Sequence, residues 1–341
     1  MLLPEEIPGA AAAVLAARKR LAADDLMESM DRLRWYGWLS GGLAAYMFYQ
    51  GWSHSPGIAT PAERLGFAMR AAANSMSMGV ALLMFLIFAF IPWYQARKRL
   101  RELRNWTSGD LAAAVPVLRF ETWLNAQKSP VTGFLLGLIG LVGIAQLMPG
   151  DSLTAAGLHK PAYLHGEWWR LLTAPLLHGS LIHFLMNAAA LLYLGKRLEV
   201  FARWPHVPLV FLFAACVGGE ASARFIAAPS VGASGGLMGW LGFLLVFESL
   251  HGRLVPRRAR RRLLAGVLLT GLVGLAGYRF IDNAAHAGGL LAGMLYAVIV
   301  FPKSASPNRP NATLTDRIAG VAALAVMIFS ALFALMKILA A

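Results

Sequence analysis

A serine among small residues, Gly232-Ala233-Ser234-Gly235-Gly236, a histidine in Asn283-Ala284-Ala285-His286-Ala287-Gly288-Gly289, and the pair His183 and Asn187 lie on three separate apolar segments. These residue types are the parts of an acyl-transfer site. They supply a hydroxyl nucleophile, an imidazole that takes its proton and returns it to a leaving amine, and hydrogen-bond donors for the developing oxyanion. Hydrocarbon is a costly place to leave polar groups idle, so the set points to an enzyme inside a membrane. His183 and Asn187 stand four residues apart and share one face of a helix. The Ser234 backbone N–H would join them as an oxyanion donor.

Each group has a plainer alternative. A serine flanked by glycines is often a packing residue or an interhelical hydrogen-bonder. A solitary His286 can be a structural bonder or a proton relay, and His183 with Asn187 can clamp two helices. His178, five residues before His183, reads either as support for the same network or as an interfacial residue. No Asp or Glu lies within these apolar stretches as an obvious third member, since Glu248 stands at the far end of the Ser234 segment and Asp282 falls at the outer boundary, so the residues read as a Ser234/His286 dyad.

The elements that carry them must be membrane helices. Of 341 residues 58% are hydrophobic and 14% charged, which places the chain among polytopic all-α membrane proteins. Runs of the length that crosses a bilayer core fall at 35–52, 71–94, 131–148, 178–194, 207–227, 234–250, 263–280, 285–301 and 318–339, predicting nine spans. The start, with Pro4-Glu5-Glu6 before an Ala-rich stretch, does not read as a cleavable signal, and the first span would direct insertion.

Charge agrees with that count. With the N-terminus inside, 24 of the 31 Lys and Arg fall in the inside segments 1–34, 95–128, 196–203, 253–262 and 303–317. The other 7 are Arg64, Arg70, Lys160, Arg170, Arg224, Arg279 and Lys337. The formal charge of +14 is therefore explained by topology and anionic headgroups, and nucleic acid is not an expected partner. The single cysteine, Cys216, excludes an intramolecular disulfide and a cysteine-built metal site. No metal or organic cofactor is expected.

The chain divides into a cytoplasmic segment (1–34), a two-helix hairpin (35–94), a cytoplasmic connector (95–130), a block holding every motif (131–301), and a turn with a last span (302–341). Depth follows from helix rise. Ser234 is 19 residues from Arg253, about 28 Å, and His286 is 17 from Lys303, about 26 Å, so both lie in the outer half of a core about 30 Å thick. Irregular backbone at that depth is tolerated only where protein buries it or water reaches it, so the site would open to the outside.

Together these residues resemble the rhomboid family of intramembrane serine proteases. The matching pieces are Trp169-Arg170, His178, His183-x-x-x-Asn187, Gly232-x-Ser234-Gly235, and Ala285-His286 followed by Gly289 and Gly293. The resemblance covers 131–301 and implies a six-helix core, here with two extra N-terminal helices and one extra C-terminal helix. It implies Ser234 as nucleophile, His286 as base and acid, and His183, Asn187 and the Ser234 N–H at the oxyanion. It further implies a structural loop at Trp169 and Arg170, and a tie by Glu199 near the cytoplasmic side. Close packing of the His286 helix through Gly289 and Gly293 and cleavage of single-span membrane proteins also follow from it.

Met238, one turn after Ser234, departs from the aromatic that many members carry, although a thioether also packs on an imidazole. Rival classes are a non-catalytic rhomboid-like protein that escorts membrane helices, and a transporter, which would more often show a discontinuous helix in each of two repeats. The Ala/Arg-rich composition suggests a bacterial inner membrane, with transmembrane protein substrates and lipids as partners.

Overall fold

A computed structural model describes residues 10–53, 57, 60–74, 85–110, 120, 123–124, 126–255, 257–277 and 281–341. The described residues are predominantly helical, and an isolated antiparallel bridge between Leu158 and Ser230 is their one β pairing. The chain divides into two units, Met1–Pro116 and Val117–Ala341.

The first unit holds α1 (Ala10–Ser53), α2 (Pro61–Asn74) and a π-helical turn, Phe85–Phe90, leading into α3 (Ile91–Glu102). The 35–52 run lies within α1, which passes residue 34 without a break. Of the 71–94 run, residues 75–84 lie outside the described residues.

The second unit carries every candidate site residue. Pro130 opens α4 (Pro130–Ala145), where a proline's missing N–H costs nothing. Short helices α5 (Ser152–Ala156), α6 (Lys160–Leu164) and α7 (Arg170–Thr173) shape the following loop. Then come α8 (Leu181–Ala202), α9 (His206–Phe225), α10 (Ser234–Leu250), α11 (Arg257–Ala276), α12 (Asn283–Val300) and α13 (Leu314–Leu339). The 263–280 run falls on α11 as far as Ala276, and residues 278–280 lie outside the described residues.

Helices α9, α12 and α13 are long and apolar enough to cross a membrane. The stretch Arg170–Leu176 with α8 passes only as a pair bent by 93°, and α4, α10 and 263–275 are shorter apolar helices. This is a multi-pass membrane protein. The 17-residue α10 is about 26 Å long, less than a hydrocarbon core about 30 Å thick. One end of such a helix sits below a surface unless the bilayer thins.

Helices α9, α10 and α12 pack most extensively against one another. Lipid tails are as apolar as Leu, so close backbone approach has to hold such helices together. Glycine makes it possible here. A Cβ at Gly289 would overlap the Gly235 carbonyl, and one at Gly293 the Gly239 carbonyl. Trp240, fully buried in α10, closes the bundle by donating its indole N–H to Val207 O at 3.0 Å.

Two charged ties hold the remaining helices. Arg197 on α8 and Glu248 on α10, at 1% and 0% side-chain exposure, meet at 2.7 Å. Glu199 accepts hydrogen bonds from Val131 N, Thr132 N and Thr132 Oγ1 (3.1, 2.8 and 2.8 Å), so it caps α4 from α8. Helix α13 starts with a Thr313/Asp316 capping box and packs on α4, α5, α7 and α9. Near its end Phe333 meets the Trp169 ring edge-on at 5.0 Å.

Candidate active site

Ser234 is the first residue of α10, and the backbone before it is what makes it available. Gly232 has φ +122°, a left-handed conformation that a side chain disfavours. A Cβ at Gly232 would also lie 2.5 Å from His183 Cε1, 2.7 Å from His183 Nε2 and 3.5 Å from Asn187 Nδ2. The imidazole and the amide of α8 thus press against backbone two residues from the serine. The loop 226–233 is irregular, and protein groups satisfy part of its backbone. Leu158 and Ser230 exchange backbone hydrogen bonds at 2.9 and 3.2 Å, and Gly232 N donates to Ala174 O at 3.0 Å.

His286 lies one turn into α12, half-buried, and its Nδ1 is buried without a hydrogen-bond partner among the described residues. The neighbouring backbone places it beside the serine end of α10. An added Cβ at Gly235 would be 3.7 Å from Ala285 O, and one at Gly218 on α9 would be 2.6 Å from it. Ser234 and His286 each adjoin one partner of this contact between helices.

Asp282 is committed elsewhere. It caps α12 by accepting Ala285 N at 2.9 Å, while its other oxygen accepts the hydroxyls of Ser222 and Ser230. Those bonds occupy the carboxylate in a role other than a third catalytic member.

Helix α8 begins three residues after His178, so His178 precedes the helix that carries His183 and lies at the bend of the Arg170–Leu176 and Leu181–Ala202 pair. Ser180 breaks the helix there, accepting His183 N at 3.2 Å as an N-cap. His178 instead sits in the bent link, held by a two-way clasp. Its N–H donates to Gln146 Oε1 at 2.9 Å, and its carbonyl accepts Gln146 Nε2 at 3.1 Å. Its ring meets His183 edge-on with centroids 5.1 Å apart. The Asn187 amide nitrogen is buried and has no partner among the described residues. A buried donor left unpaired is costly, and binding a charged oxygen would remove that cost.

Trp169 and Arg170 form part of the loop on the same side. Arg170 donates to Glu167 Oε2, Thr154 O and Gly157 O at 2.6, 2.9 and 2.7 Å, and its guanidinium stacks 4.6 Å from the Trp169 ring centroid. Met238 is buried one turn beyond Ser234.

Sequence reasoning missed Gln146, Lys160, Ser222 and Ser230. Gln146 was visible as an amide near the end of an apolar run, but nothing in its spacing tied it to His178. In the sequence Lys160 reads only as one charge outside the cytoplasmic segments. Its ammonium donates to Ala228 O at 2.6 Å and to Ser230 Oγ at 2.5 Å.

The Rhomboid domain family model matches residues 165–303, a stretch that includes each of His178, His183, Asn187, Ser234 and His286. The chain is 33% identical over 156 residues to a rhomboid protease, GluP, of Bacillus subtilis, an alignment covering 45% of this chain and 31% of that protein. It is 32% identical to RHOMBOID-like protein 4 of Arabidopsis thaliana, covering 55% of this chain and 45% of the relative. With a rhomboid protease, GlpG, of Yersinia pestis it shares 29% identity, over 62% of this chain and 76% of the relative. The chain therefore spans less than half the length of the first two relatives. The matched region coincides with the helices that carry the serine, the two histidines and the asparagine, and over that region the chain is similar to rhomboid family proteins.

Proposed function

We propose that this protein is an intramembrane serine endopeptidase that hydrolyses peptide bonds in or near transmembrane helices of membrane proteins. The observation that carries the reading is the meeting of α8, α10 and α12. Ser234 starts one helix, His286 lies one turn into its closest partner, and His183 and Asn187 press on the backbone just before the serine. Relatives whose names describe them as rhomboid proteases support it.

In this reading His286 takes the Ser234 proton as Oγ attacks the carbonyl carbon. The oxygen that becomes negative is held by the Ser234 N–H, His183 and the unpaired Asn187 amide. His286 then protonates the departing amine, and water hydrolyses the acyl-enzyme by the same steps in reverse roles. The six helices α4 and α8–α12 form the protease core, with α1 to α3 providing two N-terminal spans and α13 the last. Positive charge favours a cytoplasmic N-terminus and a site opening outward in a bacterial inner membrane.

The test is labelling of the purified protein in detergent by a serine-directed fluorophosphonate. Wild type is expected to label, and Ser234→Ala and His286→Ala to lose labelling while remaining folded. A folded wild type that takes no label, or a Ser234→Ala protein that labels equally, would overturn the reading in favour of a helix-binding protein.

A further inference from the structure

One carboxylate oxygen receives the approaches to both candidate catalytic residues. Ser230 stands four residues before Ser234, and Asp282 stands four residues before His286. The Ser230 hydroxyl donates to Asp282 Oδ2, and so does the hydroxyl of Ser222, a fully buried residue of α9. Lys160, 4% exposed on α6, donates to the same Ser230 hydroxyl. The proton count is unambiguous: an ammonium can only donate, so Ser230 accepts from Lys160 and gives its own proton to Asp282.

We propose that Lys160 and Asp282, joined through the Ser230 hydroxyl, are positioning residues that fix the loop entering α10 and the first turn of α12 in one register. The proposal rests on the serine protease reading above. Three further observations support it. Ser230 is held against Leu158 by a pair of backbone hydrogen bonds, so the hydroxyl has little freedom to leave. The second Lys160 bond goes to Ala228 O in the same loop, so a single ammonium grips the loop twice. The other oxygen of Asp282 caps α12 by accepting Ala285 N, one residue from His286.

The ammonium is the vulnerable member. The titratable groups on the elements around it are Asp282 on α12, Glu220 and Arg224 on α9, and Tyr163 and His159 beside it in sequence. Glu220 is engaged by Arg224 and by the Tyr163 hydroxyl, which leaves Asp282 as the charge acting on Lys160. Burial pushes the Lys160 ammonium down to about 8, with Asp282 opposing the shift. A neutral amine can accept the Ser230 proton that now goes to Asp282, so the link between the two approaches breaks as pH rises through that value. The folded protein itself does not lose stability by this route. Burial penalises the charged form, so the penalty is present below about 8 and is relieved as pH climbs toward the ordinary lysine value of about 10.5.

The experiment measures the second-order rate of fluorophosphonate labelling at Ser234 from pH 7 to 9.5, with unfolding followed in parallel. Wild type is expected to slow through pH 8 to 9 while remaining folded. Lys160→Met is expected to label about tenfold more slowly at pH 7, less than the hundredfold that an ångström of misplacement costs, and to lack the alkaline decline. Lys160→Arg keeps a cation that does not titrate in this range and should hold its rate to pH 9.5. An alkaline decline in Lys160→Arg equal to that of wild type would sink the proposal, as would wild-type rates in Lys160→Met at every pH. Neither result would touch the protease reading, which fails only if wild type takes no label or labels without Ser234. If Lys160→Met does not fold, the Lys160→Arg profile decides alone.

Discussion

Asn187 separates an oxyanion role from a structural clamp. Its amide nitrogen is buried, lies near the Gly232 backbone and finds no partner among the described residues. A clamp residue would have spent that donor on a neighbouring helix. Replacing Asn187 by Ala should therefore lower the rate constant of cleavage on the order of 10²-fold, the cost of one oxyanion donor, with little change in KM or in thermal stability. A change confined to stability would assign the residue to packing. The residue types of this site could be read from the chain, because serine, histidine and asparagine are conspicuous among Leu, Ala and Gly. The commitment of Asp282 could not, since its partners are 52 and 60 residues away in sequence.

At the scale of elements, contact between α10 and α12 is set by glycines whose absent side chains leave room for carbonyls. Gly293→Ala would drive a methyl into the Gly239 carbonyl, which must shift, and is expected to destabilise by about 1–3 kcal/mol in detergent unfolding, with labelling of Ser234 reduced at permissive temperature. The Arg197/Glu248 pair binds α8 to α10 with both side chains out of solvent. Arg197→Met alone leaves a buried carboxylate and should cost roughly 3–5 kcal/mol, whereas Arg197→Met with Glu248→Met should recover most of it. Equal stability of the single and double variants would show that the pair contributes nothing specific. The segment 178–194 was expected as one helix. Ser180 caps α8 and the chain bends before it, and apolar periodicity carries no signal for such a cap when the flanking residues are also apolar.

For the whole molecule, charge makes the firmest forecast. The segment 303–317 carries Lys303, Arg309 and Arg317 and is expected on the cytoplasmic side. A Ser306→Cys probe, in a background with Cys216→Ser, should react with an impermeant maleimide in inverted vesicles and not in intact cells. The opposite pattern would reverse the orientation of the second unit and with it the side from which water reaches Ser234. Helix α13 reaches back to the site loop at its far end, where Lys337 lies 5.3 Å from the Trp169 ring centroid and Phe333 packs on the same ring. The last span therefore braces the loop that contains Arg170, a role its apolar sequence did not disclose.

What the chain determined by itself was the solvent and the chemistry. Composition and run length dictate lipid-embedded helices, since nothing else satisfies backbone polar groups in hydrocarbon, and Ser234, His286, His183 and Asn187 are distinguished by type and by helical spacing. Only the tertiary structure decided which polar groups share partners. A hydrogen bond depends on positions within a few tenths of an ångström, and those arise from helices brought together by glycines far apart in sequence. Gln146 holding His178, Lys160 and Asp282 meeting at Ser230, and Arg197 meeting Glu248 are all of that kind. Each is a long-range pairing whose members look ordinary until the helices pack.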